Sequence, residues 1–349
     1  MKKVLILLFV LCVDSSCKKS DIPQKPEQEE VLDSIEKVNV IIPENLNIPT
    51  EPQGDPTYNV IGYGYDATGI LNDASSIRGQ VVNIAAYVEG EKKHDSLIPS
   101  RTTSFWYDSF DAENAEVLIK KLSAKSDAIK GKSLYAGTIS ESFPKTNASS
   151  EKYVYGYYSL YLQYKSFRFF INDELVAKFR KYLSPSFQSD VQTLSPELMI
   201  KKYGTHLLVE IALGAKLDIL YQAEPSGEDR SDLQKSGYDA AVRTTFGFWT
   251  PTSSFSKIDS AKLRKIKSPA LSFRVAGGDP SKINVIKSTQ GLRINTTDWL
   301  KSAETQNHVF IKTMSTIPLY SLIENENRRS ELQAYIATYL ENKEFKLTK

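Results

Sequence analysis

An α+β fold is predicted by three stretches of this 349-residue chain. Residues 153–171 form a long aromatic, β-prone run that is apolar on both faces, the pattern of a strand buried or paired on both sides. Residues 205–221 read as a second long strand. Between them and the N-terminus, Ala115, Leu118, Ile119, Leu122 and Ala128 fall at helical spacing within residues 112–128. There is no internal repeat, and length alone would suggest two domains.

The chain opens with Lys2-Lys3, ten apolar residues at 4–13, then Ser15-Ser16-Cys17 and a polar stretch, the layout of a secretory signal. The apolar core is far below the ~20 residues that span a membrane as a helix. A cysteine directly after small residues resembles a bacterial lipoprotein signal, in which Cys17 becomes the first mature residue and carries acyl chains. Asp14 departs from the apolar residue usual at that position, and an ordinary cleaved signal with an incidental cysteine is the competing reading. Cys12 follows the bulky Leu11 inside the apolar core, which suits processing less well. Residues 1–17 are therefore expected to be a leader ending at a lipidated Cys17.

Beyond Cys17 the sequence holds no cysteine, which excludes a disulfide framework and any thiolate metal site in the body. His94, His206 and His308 stand far apart with no paired-ligand spacing, so neither zinc nor another metal is expected. With 44 basic and 42 acidic residues there is no basic excess to suggest nucleic acid. No Gly-x-Ser-x-Gly elbow accompanies the histidines. No catalytic residue and no cofactor are predicted.

Residues 18–30 are mostly charged, proline and glutamine, and read as a tether; prolines at 43, 49, 52 and 56 extend it as an irregular lead-in through residue 57. An ordered body is expected from residue 58, with strands over 58–66 and 80–87. Leu183-Ser184-Pro185 closes one helix, and Ser195-Pro196-Glu197 opens the next with serine as N-cap and proline at the first helical position. That helix runs into Gly204, a stop that favours positive φ, and releases the strand at Thr205. Residues 223–269 are polar and mixed, and a strand over 271–276 ends at Gly277-Gly278. Leu319, Leu322, Ile323, Leu332, Tyr335, Ile336, Tyr339 and Leu340 make one apolar stripe, predicting an amphipathic C-terminal helix.

Tyr203-Gly204-Thr205-His206, followed by an apolar run and Gly214-Ala215, resembles the signature of the membrane attack complex/perforin (MACPF) family. Gly62-Tyr63-Gly64-Tyr65-Asp66 resembles the opening of its bacterial members, and Gly277-Gly278, Trp299 and the 317–323 segment follow in the family's order. The resemblance covers residues 58–323, leaving 324–349 as the C-terminal helix and tail. With its leader, the chain resembles surface lipoproteins of Bacteroidetes-type Gram-negative bacteria, which implies export, a lipid anchor in the outer membrane, and surface exposure or release in vesicles. The implied fold is MACPF/cholesterol-dependent-cytolysin-like: a bent four-stranded antiparallel sheet flanked by two helical clusters. In that family each cluster unrolls into an amphipathic β-hairpin on insertion, and a ring of subunits closes one barrel.

The resemblance places Gly214 at the sheet bend, where relatives usually carry two glycines and this chain has Ala215 second. Gly277 and Gly278 become sheet-bend or hinge glycines, though a bulge or tight turn would explain them equally. Tyr203, Thr205 and His206 are expected to form a hydrogen-bonded core around the Gly204 junction. The clusters would fall between Trp106 and Tyr153 and between Tyr221 and Leu271. In the second, Tyr238, Ala240, Val242, Phe246 and Phe248 share one parity, the alternation a lipid-facing strand needs. A helix edge or a buried strand would account for the same stripe. The return limb at 255–264 and the 134–143 segment alternate poorly, and Pro251 suits a turn.

Two functions follow as expectations. The first is a pore-forming lipoprotein, monomeric when soluble and homo-oligomeric when inserted, whose partner is a lipid membrane. The second is a non-lytic surface protein of the same fold, used for adhesion or for binding a surface glycan or protein receptor.

Overall fold

A computed structural model describes residues 36–44, 46, 54–91, 97–126, 129, 131–169, 172–227, 229–248, 259–288, 291–305 and 307–347. The expected leader, Cys17, the tether, His94, Ala128, Pro251 and the start of the 255–264 limb lie outside the described residues.

In chain order the body begins with β1 (Asn39–Ile41), β2 (Tyr63–Tyr65), β3 (Ile77–Gln80), α1 (Ile84–Gly90), β4 (Leu97–Ser100) and β5 (Ser104–Ala112). It continues with α2 (Ala115–Ser123), α3 (Gly137–Ser140), β6 (Val154–Phe169), α4 (Asp173–Lys181), α5 (Pro185–Thr193), α6 (Pro196–Tyr203) and β7 (His206–Pro225). Then come α7 (Arg230–Phe246), α8 (Ser260–Leu263), β8 (Ile266–Ala276), β9 (Asn284–Ser288), β10 (Gly291–Asn295), α9 (Thr297–Ala303), β11 (Val309–Pro318) and α10 (Glu326–Asn342).

The predicted bent four-stranded antiparallel sheet is the centre of the molecule. β6 and β7 pair along almost their whole length. Outside β6 lie β5 and, farther along, β4; outside β7 lie β8 on one half and β11 on the other. All four positions break at one level. Residues 101–103 separate β4 from β5, the β6–β7 register slips between Gln163 and Lys165, and Gly214 faces that slip from β7. On the far side β8 ends opposite Lys216 and β11 begins opposite Gly214. A bulge bends a strand and increases its local twist, and here the interruptions align into a single line across the sheet.

The two helical clusters cover opposite faces. Tyr155 and Tyr157 of β6 share an apolar core with Leu118, Ile119 and Leu122 of α2. Tyr158 and Leu160, on the other parity, join Leu217, Ile219, Tyr221 and Phe273 beneath Tyr238 and Val242 of α7. α7 is roofed in turn by the β9–β10 ribbon, whose Ile294 is buried in the same cluster.

Local chemistry sets the helix ends. Asn114 Oδ1 accepts the Val117 N–H at 3.0 Å to start α2, and Asp229 Oδ1 accepts the Asp232 N–H at 3.1 Å to start α7. α7 stops at Gly247, whose φ is 76°. α6 spans the predicted positions, with Ser195 as cap and Pro196 in the first turn.

Several predicted elements are corrected. Of residues 80–87 only Gln80, the end of β3, is in a named strand, because Asn83 Oδ1 accepts the Ala86 N–H at 3.1 Å and turns the chain into α1. Of 58–66 only Tyr63–Tyr65 is strand; the Asp55 carboxylate accepts the Thr57 and Tyr58 amides at 2.8 and 2.9 Å, which holds a turn before it. Ser184 caps α5 in addition to following α4. The polar 223–269 segment contains the 17-residue α7. The C-terminal stripe is broken: Leu319–Leu322 is a single 3₁₀ turn, and Asn325 starts α10 by accepting the Arg328 N–H at 2.9 Å. Leu332, Ile336 and Leu340 form the buried face of α10, whereas Tyr335 points outward.

Candidate functional site

β7 carries a landmark at each end of its first half, and the segments expected to move lie beyond its second half.

At the start of β7 the Tyr-Gly-Thr-His quartet and the Gly-Tyr-Gly-Tyr-Asp segment are in direct contact. Gly204 has φ 74°, and a Cβ there would stand 2.5 Å from the Tyr65 carbonyl. A Cβ on Gly64 would stand 1.8 Å from the Tyr203 carbonyl oxygen. Each glycine thus gives room to the other segment's backbone. Thr205 N–H donates to Tyr65 O at 2.9 Å, and the Thr205 hydroxyl donates to the same oxygen at 3.3 Å while accepting from Ala67 N–H at 3.2 Å. His206 Nδ1 lies 2.8 Å from the Thr205 hydroxyl, and its ring is buried. Leu319 N–H, from the 317–323 landmark, donates to Thr205 O at 3.0 Å.

Tyr203 extends the junction into α5. Its hydroxyl donates to Asp190 Oδ2 at 2.5 Å, as does Lys202 Nζ at 2.5 Å. Its ring meets Phe187 edge-on at 4.9 Å. The hydrogen bonds from Lys202 and then Tyr203 hold the Asp190 carboxyl below its usual range. Burial, reinforced by Asp190, pushes the Tyr203 phenol up; burial alone is the main cause that lifts Tyr65 to about 12. These groups cross-brace chain segments.

At the other landmark, Gly214 meets Gly277. A Cβ on Gly214 would lie 1.9 Å from Leu162 O, and one on Gly277 would lie 2.2 Å from Gly214 O. Gly277 and Gly278 both hold positive φ, at 70° and 62°. Trp299 Nε1–H donates to Gly277 O at 2.9 Å, and Asn307 Nδ2 donates to Gly278 O at 3.0 Å. Tyr164, the residue at the β6 register slip, stacks on His308 at 4.4 Å with the rings 2° from parallel. That stack joins β6 to the entry of β11 across β7 at the level of Gly214.

α7 docks on the sheet through two glycine–tyrosine contacts. A Cβ on Gly156 of β6 would meet Tyr238 Cγ at 2.4 Å, and one on Gly237 would meet the Tyr221 hydroxyl at 2.4 Å. Each glycine is a socket for the partner's ring. The Tyr221 hydroxyl is buried there without a hydrogen-bond partner among the described residues, and burial pushes its pKa up. Tyr238, Ala240 and Val242 are buried as the stripe requires, but so is Ala241; Phe246 and Phe248 are half-buried, with Phe248 against Tyr158 at 5.5 Å. In the helix, burial follows the sheet below and the ribbon above, and the alternation has no expression.

The structure therefore gathers the site residues into three groups. Tyr203, Gly204, Thr205 and His206 lie at one junction, Gly214, Gly277 and Gly278 at the bend, and Tyr238, Ala240, Val242, Phe246 and Phe248 on or just after α7. Sequence reasoning missed Gly156 and Gly237. The signal for Gly156 was present, a lone glycine inside an aromatic strand run. Gly237 offered none beyond its place in a polar segment. Among the described residues no cluster of metal-ligating side chains occurs, and no helix is long and apolar enough to cross a membrane.

The family model for the MAC/Perforin domain matches residues 116–346. Among solved structures, a MAC/Perforin-domain protein from Bacteroides thetaiotaomicron superposes with a TM-score of 0.65 at 16% identity, covering 88% of this chain and 63% of that one. GNIP1Aa from Chromobacterium piscinae gives a TM-score of 0.58 at 17% identity, covering 83% of this chain and 57% of that one. The chain thus spans less than two thirds of the length of each. No curated protein matches it by sequence.

Proposed function

Because the chain belongs to the MAC/Perforin family, we propose that it forms pores, copies assembling side by side and unrolling residues 113–153 and 226–265 into β-hairpins across a target bilayer. The observation that carries this reading is where the two excursions leave and rejoin the sheet. The first connects β5 to β6 and the second β7 to β8, each an antiparallel neighbouring pair. The four strands share one level near these ends, with Ala112 opposite Tyr155, Tyr155 opposite Gln222, and Gln222 opposite Ala270, and the β7–β8 ladder runs on to Pro225 and Ile266. Unrolling would lengthen two existing hairpins side by side without altering topology.

Each excursion exceeds the roughly 20–25 residues needed for two membrane strands of ~9–11 residues and a turn. As a strand, 238–248 would turn Tyr238, Ala240, Val242, Phe246 and Phe248 to lipid and Asp239 and Arg243 to the lumen. Lipid cannot satisfy open backbone edges, so four strands from one copy must be completed by others. Assembly is thus part of the proposal, and the soluble form is the monomer. An acylated Cys17 would hold the protein at the outer membrane of its producer, exposed at the surface or carried in vesicles. No catalytic step is involved.

The test is dye release from vesicles of phosphatidylethanolamine and phosphatidylglycerol, and of phosphatidylcholine, with electron microscopy of the same samples. Leakage accompanied by rings supports the reading. Binding to cells or vesicles with neither leakage nor rings would favour the non-lytic adhesive role.

A further inference from the structure

We propose that Asn72 is the latch of the bend: it ties the two halves of the sheet to each other and must let go before the angle between them can change. This rests on the unrolling reading above and adds what restrains it. A hairpin that runs on from β5, β6, β7 or β8 takes its direction from that half of the sheet, so the angle at the bend decides where it points.

Asn72 sits at the tip of the 66–76 connection between β2 and β3 and is buried. Its φ is 53°, in the left-handed region that asparagine tolerates better than most residues. Its carbonyl oxygen accepts from Lys216 Nζ at 2.7 Å, and its Nδ2 donates to the Tyr161 hydroxyl at 3.4 Å. Tyr161 and Lys216 pair with each other, and Lys216 pairs with Ala276, all in the half that bears the excursions. Its Oδ1 accepts the Thr313 N–H at 3.0 Å, and Thr313 pairs with Ile211 in the other half. The β11 register shifts just after Thr313, which turns that amide to the side chain of Asn72. One residue thus grips both sides of the line where β8 has ended and β11 has begun.

The base of the connection is fixed to the far half alone. Ala67 N–H donates to the Thr205 hydroxyl at 3.2 Å, at the quartet junction. The Asp66 carboxylate accepts from Thr68 N–H and from the Arg78 guanidinium, each at 3.0 Å, and the Thr68 hydroxyl lies 3.1 Å from that of Tyr339 on α10. The tip alone reaches across. There it meets Lys216, whose buried ammonium has Asp218 at 2.8 Å as its other partner. Beside it, Leu71 N–H donates to the Thr138 hydroxyl of α3 at 3.4 Å, so the first excursion leans on the same connection. Changing the bend moves Lys216 and Thr313 relative to each other, and a single buried asparagine cannot follow both.

The experiment compares Asn72→Gly and Asn72→Asp with the parent. Glycine suits a positive φ but leaves the Thr313 N–H buried without its acceptor while the sheet is bent, a cost that opening relieves. Aspartate keeps an acceptor for that amide and adds a charge opposite in sign to Lys216. Spin labels on Lys201→Cys and Lys267→Cys, both exposed, mark the α6 side and the far end of β8. Their separation is read in solution on the full chain with Cys12→Ala and Cys17→Ala. Dye release from phosphatidylethanolamine/phosphatidylglycerol vesicles is read separately. The glycine variant should show a second, longer distance, its population about tenfold above the parent's, and should release dye at about tenfold lower concentration. The aspartate variant should match the parent in both. A single unchanged distance in all three proteins overturns the latch, as does an aspartate variant as open as the glycine one. A longer distance without leakage would uphold the latch and refute the pore; equal leakage from all three with the distance unchanged would do the reverse.

Discussion

The backbones of Gly214 and Gly277 touch: a β-carbon on Gly277 would stand 2.2 Å from the Gly214 carbonyl oxygen. This contact marks the line where all four sheet positions change partners, and Trp299 locks it by donating to Gly277 O at 2.9 Å. Gly277→Ala should be destabilising on two grounds. At φ 70° an L-residue loses roughly 1–2 kcal/mol, and the overlap adds to it. Thermal unfolding should show a midpoint several degrees lower. An unchanged midpoint would mean that the two strands need not approach so closely.

The docking of α7 makes a second prediction through the Tyr221 hydroxyl, buried against Gly237 without a hydrogen-bond partner among the described residues. An unmet buried hydroxyl costs about 1–3 kcal/mol, so Tyr221→Phe should stabilise the folded protein or leave it unchanged in urea titration. A loss beyond about 1 kcal/mol would show that the hydroxyl is bonded after all.

The opposite change fills the other socket. Gly156→Val should drive out Tyr238, whose ring occupies the space a β-carbon needs. Hydrogen exchange should then quicken across 237–242 while 206–214, in the far half of the sheet, keeps its protection. Uniform acceleration in both segments would mean that α7 and the sheet form one cooperative unit.

The Asp190 carboxyl is held below its ordinary range by Lys202 and Tyr203. A depressed folded-state pKa gives stability that is present above the unfolded value, about 3.9, and lost as pH falls through the folded value. Asp190→Asn should therefore lower the urea midpoint at neutral pH, and the gap to the parent should narrow toward about pH 3. A gap that is constant with pH would assign its origin to packing alone.

Long-range sheet architecture was legible where local chemistry and apolar pattern agreed. β6 announced itself by aromatics on both faces, α6 by its Ser-Pro start and Gly204 stop, and β7 by the apolar run between them. The motif residues were legible as positions but not as contacts. That Gly204 makes room for Tyr65, and Gly64 for Tyr203, depends on segments about 140 residues apart. Single side-chain caps decided the errors: Asn83 turned a β-prone run into α1, and Asn325 split the C-terminal stripe. α7 escaped notice because both its sides are covered, by the sheet and by the β9–β10 ribbon, which erases an amphipathic signal. Its strand-like alternation belongs, in the proposed account, to the inserted state.

Whether α7 must leave the sheet can be tested with one bond. The Gly156 β-carbon position lies 2.4 Å from Tyr238 Cγ, so the β-carbons of Gly156→Cys/Tyr238→Cys would lie within about 3.9 Å, a disulfide distance. The sequence past Cys17 has no other cysteine to interfere. Dye release from phosphatidylethanolamine/phosphatidylglycerol vesicles should be absent while the bond is oxidised and should appear on adding reductant. Equal leakage in both states would show that bilayers are breached with α7 still packed on the sheet, and the unrolling account would be wrong.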